Sequence, residues 1–210
     1  GWRHVAHARP HAGHTAVAQL QEQGLVTGVV TQNVDGLHTA GGARDVLELH
    51  GALSRVVCLQ CGDLTSRAAL RDRLTEANPS FTDRELPLKP DGDVELEDVA
   101  AFVVVDCVVC GGVLKPDVVF FGESVPRDRV DRAYALVDAA RCLLVLGSSL
   151  TVMSGYRFVL HASRLGVPVA VVNQGPTRGD ALATVKVDAP LGEVLPQLVP
   201  GTAIAHAGGT

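Results

Sequence analysis

Cys142-Leu143-Leu144-Val145-Leu146-Gly147-Ser148-Ser149 runs a wholly apolar stretch into a turn of small polar residues. The stretch is short for a helix and lacks the alternation of a strand with one wet face, so it reads as a strand buried on both sides. Leu25 to Thr31 has the same character and stops at Gln32-Asn33 and Asp35; Val167 to Val172 repeats it and stops at Asn173-Gln174-Gly175. Helical segments separate the three. Such strands joined through helices imply an α/β fold with a parallel sheet covered on both faces. Ligands of open parallel sheets bind at the carboxyl edge. Any one of these polar ends alone is ordinary turn chemistry; three together point to a nucleotide-like ligand.

The remaining elements follow from period and punctuation. His11 to Gln23 reads as a helix with Ala16, Val17 and Leu20 on its apolar face and Gly24 as its stop. Val46 to Leu49 and Leu53 to Val57 read as short strands or extended loops, Ser66 to Ala77 as a helix, and Pro79 to Asp98 as a proline- and acid-rich loop. Val118 to Phe121 is strand-like, Pro126 opens a helix over Arg127 to Ala140, and another spans Gly155 to Leu165. Val185 to Val187 is a fourth core strand and Gly192 to Leu198 a last short helix. Gly41-Gly42-Ala43 follows no strand and is rejected as a phosphate-binding fingerprint.

With 210 residues, 47% hydrophobic and 20% charged, the chain can bury a real core. A net charge of -5 argues against nucleic acid or membrane surfaces as partners, while leaving room for a basic peptide. No apolar stretch is long enough for a transmembrane helix, and Gly1-Trp2-Arg3-His4 shows no signal-peptide core, so a cytoplasmic location is expected. Met153 is the sole methionine, which suggests a processed or truncated product. Lysine is confined to Lys89, Lys115 and Lys186 among many arginines, which suggests a high-GC bacterial genome.

Cys58-Leu59-Gln60-Cys61-Gly62 and Cys107-Val108-Val109-Cys110-Gly111 are two C-x-x-C knuckles, each followed by a glycine able to take positive φ. Four thiolates close a tetrahedral shell with no open position, which makes the site structural and the metal zinc. A zinc staple replaces the core that a small lobe cannot build. The rivals are buried free thiols and a redox pair, which would need one such motif opening a helix rather than two with trailing glycines. Cys142, in an apolar run, reads as a small core residue.

Read in order, Thr31-Gln32-Asn33-Val34-Asp35-Gly36-Leu37-His38, Glu48-Leu49-His50-Gly51, the first zinc pair, Leu114-Lys115-Pro116-Asp117-Val118-Val119-Phe120-Phe121-Gly122-Glu123, Gly147-Ser148-Ser149-Leu150 and Val172-Asn173 resemble the sirtuin family. The resemblance runs from about Pro10 to Leu198. The long acidic insert and the phrase around Phe120 look most like the class II sub-group that includes mitochondrial sirtuin 4 and its bacterial relatives. The resemblance implies a Rossmann-like NAD-binding lobe over residues 1–52 and 113–205, a smaller zinc-binding lobe over residues 53–112, and one structural Zn2+. It also implies an NAD-dependent protein lysine deacylase (a deacetylase), a sirtuin-type transferase acting on an acyl-lysine protein or peptide. NAD is the cosubstrate, and nicotinamide and O-acyl-ADP-ribose are the products. A monomer is the expected state.

Residue by residue, His50 matches the general base, a role that suits a side chain ionising near neutrality. Asn33 and Asp35 match catalytic positions at the nicotinamide and its ribose, and Gln32 and Val34 neighbouring cofactor contacts. Gly147, Ser148 and Ser149 match the turn beside the phosphates and adenosine ribose, a set of small side chains and free N–H groups that suits anions. Asn173, Gln174 and Gly175 match the adenosine end, and Leu191 a last adenine contact. Val119, Phe120, Phe121 and Gly122 match the strand that pairs with the substrate backbone and lines the acyl-lysine tunnel. Some of these four also read as plain core. His14 and His38 read as structural, and His4, His7, His11, His161 and His206 carry no assigned role.

The family's first strand, its Gly-rich cofactor loop and the arginine-bearing segment after it are expected before Gly1. Three rival readings stand beside deacylation: protein mono-ADP-ribosylation by the same sugar chemistry, a non-catalytic zinc-stapled module, and a zinc-ribbon nucleic-acid binder. The last is disfavoured by the net charge of -5.

Overall fold

Strand order, more than strand content, decides what this chain can present to a ligand. The computed structural model describes residues 7–81 and 101–201. Most of the acid-rich stretch after Pro79, together with His4 and His206, lies outside the described residues. In chain order the elements are α1 (Ala12–Glu22), β1 (Val29–Thr31), α2 (Leu37–Ala40), β2 (Val46–Glu48), β3 (Gly51–Cys58), β4 (Leu64–Ser66) and α3 (Arg67–Ala77). A 3-10 turn at Pro79–Phe81 follows. Then come β5 (Leu114–Val118), α4 (Arg127–Asp138), β6 (Leu143–Leu146), α5 (Met153–Arg164), β7 (Val169–Val172), a 3-10 turn at Asp180–Leu182, β8 (Val185–Val187) and α6 (Leu191–Gln197).

Two compact units emerge. One contains Asn33–Gly36 and His50–Gly122; the other contains Arg9–Gln32, Leu37–Leu49 and Glu123 onward. The larger unit is the parallel α/β part. Strands β6, β7 and β8 pair in parallel in that order, with Leu146 opposite Val172 and Val172 opposite Val187. Strands β1 and β2 pair in parallel as well, Thr31 opposite Glu48. One cluster of Leu47, Leu49, Ala133, Val137, Val145, Leu150, Phe158, Val159, Ala162, Val169 and Val171 packs α4 and α5 on this framework. A second, of Ala16, Val17, Leu20, Val29, Leu195 and Val199, seats α1 against α6.

Helix α1 begins where the sequence places it, for a reason the sequence hides. His11 is the N-cap: its Nδ1 accepts from Gly13 N at 2.9 Å, and the His14 ring accepts from His11 N at 3.3 Å. The His38 ring meets His14 edge-on, with centroids 4.9 Å apart. His14 is structural, as expected, and His11 also has a role. So does His161, whose Nε2 lies 2.6 Å from Asp138 Oδ1 and joins α5 to the end of α4. Cys142 is exposed and precedes β6 instead of filling the core. The β6 interior rests on Val145, and β1 leaves Val30 partly open.

The smaller unit is antiparallel. Strand β3 pairs with β4 on one side and β5 on the other. The β3–β5 register shifts between Gly51, opposite Val118, and Val56, opposite Pro116. Extra residues in β3 at this bulge accommodate a proline that cannot donate to the ladder. Arg55 spans the irregularity, its Nε 3.0 Å from Asp117 Oδ2. Strand β5 therefore ends at Val118, where the sequence suggests a strand over Val118 to Phe121: proline hid its first half, and the apolar run beyond it is not in a strand. Ser66 caps α3, accepting from Ala69 N. Asn78, buried at the other end, donates to the carbonyls of Leu74 and Val103 at 2.8 Å each and accepts from Val103 N at 2.6 Å.

One side chain thus stands in for a missing strand partner beside the second cysteine pair. Asn78→Ala should lower the unfolding free energy by about 2–3 kcal/mol, since it strands both backbone groups of Val103. Denaturant titration would check it; a loss within experimental error would mean that water replaces the amide at no cost.

Candidate functional site

The metal centre is built by two turns of the same kind. In the first, Gly62 N donates to Cys58 O and Gln60 N lies 3.4 Å from Cys58 Sγ; in the second, Gly111 N donates to Cys107 O and Val109 N lies 3.4 Å from Cys107 Sγ. Gly62 and Gly111 have φ of +74° and +72°, the left-handed conformation their position after each pair suggests. Gly112 is required for space: a Cβ there would lie 2.9 Å from Cys58 Sγ. The ladder brings the turns together, with Cys58 opposite Leu114 and Leu59 N donating to Val113 O.

All four sulfurs lie within 4.8 Å of one another, with Cys58–Cys110 at 3.5 Å and Cys61–Cys107 at 3.8 Å. A zinc–sulfur bond of about 2.3 Å sets tetrahedron edges of about 3.8 Å, so the group fits the ion. The thiol chemistry agrees. A hydrogen bond from the Cys61 backbone draws Cys58 down to about 6, while the Cys61 side chain pushes Cys110 up to about 12. A divalent cation removes that conflict by holding every sulfur as thiolate. Two of the cysteines are buried and two exposed, and no fifth ligand completes a group with them among the described residues.

The same unit carries the residues marked for catalysis. Val34 O accepts from Leu53 N at 2.9 Å, so the turn ending at Gly36 (φ +73°) is tied to β3. His50 is half-buried, and its carbonyl accepts from Val119 N at 2.9 Å, one rung beyond the Gly51–Val118 pair. Asp35 is half-buried and Asn33 exposed. Phe120 and Phe121 are not core: they are 50% and 100% exposed, and the Lys115 ammonium lies 4.9 Å from the Phe120 ring centroid.

In the larger unit the carboxyl ends of β1, β6 and β7 gather the other marked residues. Gln32 Nε2 donates to Ser148 Oγ at 3.3 Å. Gly147 takes φ +57°, and a Cβ there would lie 2.8 Å from Leu191 Cδ1; a Cβ on Gly155 would lie 2.6 Å from Gln32 Nε2. The glycines therefore let Leu191 and Gln32 pack directly against the backbone of this edge. Leu150 takes φ +57° without being glycine, its N–H donating to Ser148 Oγ. Arg178 N donates to Ser149 O, which joins the loop after β7 to the turn after β6. Asn173 Nδ2 donates to Gln174 O and Gly175 O.

Sequence reasoning missed the supports of this edge. Arg178 lies over the Tyr156 ring at 4.3 Å and donates to Thr151 O. Asp180 accepts from Thr177 and pairs with Lys186, whose ammonium holds its carboxyl down at about 2. β8, expected as a buried strand, has no buried residue and leaves Val185 54% exposed; a lysine between its two valines, and a Thr-x-x-Asp spacing, were the available signals.

Parallel strands, a turn of small residues at their carboxyl edge and a tetrathiolate site together define a nucleotide-binding type of α/β protein with a zinc-stapled unit. The comparisons with known proteins agree. A Sir2 family model matches residues 2–154. NAD-dependent protein deacetylase 1 of Mycobacterium avium is 56% identical over 200 residues, 93% of this chain and 71% of that protein. The protein of the same name from Streptomyces coelicolor is 58% identical over 197 residues, 93% of this chain and 66% of its own length. Human mitochondrial NAD-dependent protein lipoamidase sirtuin-4 is 47% identical over 202 residues, covering 95% and 64%. A solved Sir2 structure with p53 peptide and NAD+ superposes with TM-score 0.72 at 30% identity, over 92% of this chain and 70% of that one. The chain belongs to the Sir2 family.

Two outcomes follow for the site. Cys58→Ser should bring bound zinc to background and expose the 50–122 unit to proteolysis; a metal-free variant that unfolds like the parent would remove the structural-zinc assignment. Asp180 has a folded pKa below its free value of 3.8, so its contribution is complete above about pH 4 and fades as pH falls through about 2. The stability gap between the parent and Asp180→Asn should therefore be constant from pH 7 to 5 and close on acidification toward pH 2. A gap that widens in acid would reverse the assignment.

Proposed function

We propose that this chain is an NAD-dependent protein lysine deacylase, with an acyl-lysine protein or peptide as its substrate. The observation that carries this is the 56% identity, over 93% of the chain, to a protein deacetylase. It is supported by the resemblance in fold to Sir2 bound to acetylated peptide, at TM-score 0.73. NAD, when bound, supplies an electrophilic ribose carbon that takes up the acyl oxygen as nicotinamide leaves.

The chain's own residues orient and handle protons. His50 is the general base: its imidazole accepts a ribose hydroxyl proton at Nε2 or Nδ1. Its backbone bond to Val119 supports a shared placement of base and peptide-binding segment, with Val119, Phe120, Phe121 and Gly122 receiving the acyl-lysine. Exposed aromatic surface at Phe121 favours an apolar guest over water. Asn33 and Asp35 hold the nicotinamide ribose end, with Val34 beside them. Gln32, Gly147, Ser148 and Ser149 hold the phosphates and the second ribose. Asn173, Gln174, Gly175 and Leu191 hold the adenosine end. The weak nucleophile leaves most of the catalysis to positioning. The four cysteines take no part in the chemistry and keep the 53–112 lobe folded around Zn2+.

His50→Ala should lower kcat/KM by about a hundredfold or more while zinc content and unfolding stay as in the parent. The assay is nicotinamide release with acetyl-, glutaryl-, lipoyl- and long-chain-acylated lysine peptides, products identified by mass spectrometry. Transfer of ADP-ribose to protein with no lysine deacylated would overturn the reading; unfolding of the variant would make His50 a structural residue instead.

A further inference from the structure

Gly175, in the loop after β7, has φ +77° and is gripped at both of its backbone polar groups. Its N–H donates to Asp188 Oδ1 at 3.0 Å, and its carbonyl accepts from Lys186 Nζ at 3.0 Å. Both partners come from the β8 segment, where Lys186 sits opposite Val171 in the ladder. The same ammonium meets both oxygens of Asp180, at 2.8 and 2.9 Å. An ammonium has three donors, and three acceptors on this loop use them. Asp180 then closes the loop's far side by accepting from Thr177 N at 3.0 Å and from the Thr177 hydroxyl. Gly179 N donates to Thr177 Oγ1, and the adjacent Arg178 N reaches Ser149 O.

The pair is partly open to water, with side-chain exposures of 24% and 36%, so its Coulomb energy contributes little to global stability. What it does provide is geometry. Charge-assisted bonds of fixed direction hold two successive peptide planes that a glycine at positive φ would otherwise leave free to turn.

We propose that Lys186 is a positioning residue for NAD: with Asp180 as counter-ion and Asp188 on the opposite side of Gly175, it sets the backbone that receives the adenosine end, without touching the dinucleotide. This rests on the NAD-dependent reading above. A role confined to holding β8 would loosen the fold without discriminating between substrates; a positioning role acts on NAD alone.

The test uses the full chain as parent, Lys186→Met, Lys186→Arg and Asp180→Asn. NAD is varied at saturating acetyl-lysine peptide, and peptide at saturating NAD. Amide exchange at Gly175 and Thr177 is followed without either. Lys186→Met should raise the KM for NAD by about ten- to a hundredfold, with kcat within about twofold and the peptide KM unchanged. Exchange at the two amides should accelerate in the same variant, and Lys186→Arg, which keeps the charge, should fall between. An unchanged KM for NAD, or an equal rise in both KM values, overturns the proposal. If Lys186→Met does not fold, Asp180→Asn, which keeps an acceptor for Thr177, carries the same test with a smaller rise. If the parent consumes no NAD, the deacylase reading fails by itself. The positioning role is then judged by NAD binding in calorimetry: a Kd about ten- to a hundredfold weaker in Lys186→Met upholds it, and an unchanged Kd overturns it whatever the exchange rates.

Discussion

Parallel pairing places the carboxyl ends of neighbouring strands side by side, and the ligand-facing chemistry of the larger unit follows from that constraint. A backbone ladder with Leu146 opposite Val172 and Val172 opposite Val187 leaves no choice about where the next residues go. Gly147-Ser148-Ser149, Asn173-Gln174-Gly175 and Asp188 must emerge at one edge. Small residues there are a steric requirement: at Gly147 and Gly155 a single added carbon would run into Leu191 or Gln32. The glycines let Leu191 and Gln32 close in on the backbone, and Arg178, Asp180 and Lys186 lace the loops of the edge together.

The smaller unit answers a different problem. Among the described residues, the three-stranded antiparallel sheet and its helix bury little: Val56, Ala52 and Cys58 are the fully buried centre, while Leu59, Val108, Val109 and Val113 stand exposed around the knuckles. Apolar burial at about 25 cal/mol per Å2 cannot hold so small a sheet by itself. Four sulfurs at tetrahedral spacing can, because metal binding free energy is folding free energy when the unfolded chain has no site. Asn78 and the Arg55–Asp117 pair complete the unit where the ladder is irregular. The backbone bond from Val119 to His50 lies next to that irregularity, so the residue marked as base depends on strand register, which no local feature of His50 reveals.

Features that depend on neighbours in the chain are legible from the residues alone. Helix α1 at Ala12–Glu22, α3 at Arg67–Ala77 and β8 at Val185–Val187 are legible because period, glycine stops and apolar runs are local signals. The two C-x-x-C-Gly turns are legible for the same reason: both thiolates and the positive-φ residue fit within five positions. The order of the motifs was enough to indicate the family.

Features that depend on register and distance are settled by the folded chain. It moved the strand before Phe120 back to Leu114–Val118, because the bulge that tolerates Pro116 lies in a partner strand some sixty positions earlier. It turned Phe120 and Phe121 outward, put Cys142 at the surface, and made His11 a helix cap. It set Leu191 against Gly147, and it gave Lys186, a lysine in a half-exposed strand, three acceptors on a neighbouring loop. Side-chain chemistry is written along the chain, but the partner each group meets is chosen by the pairing of strands, and that pairing is a property of the folded whole.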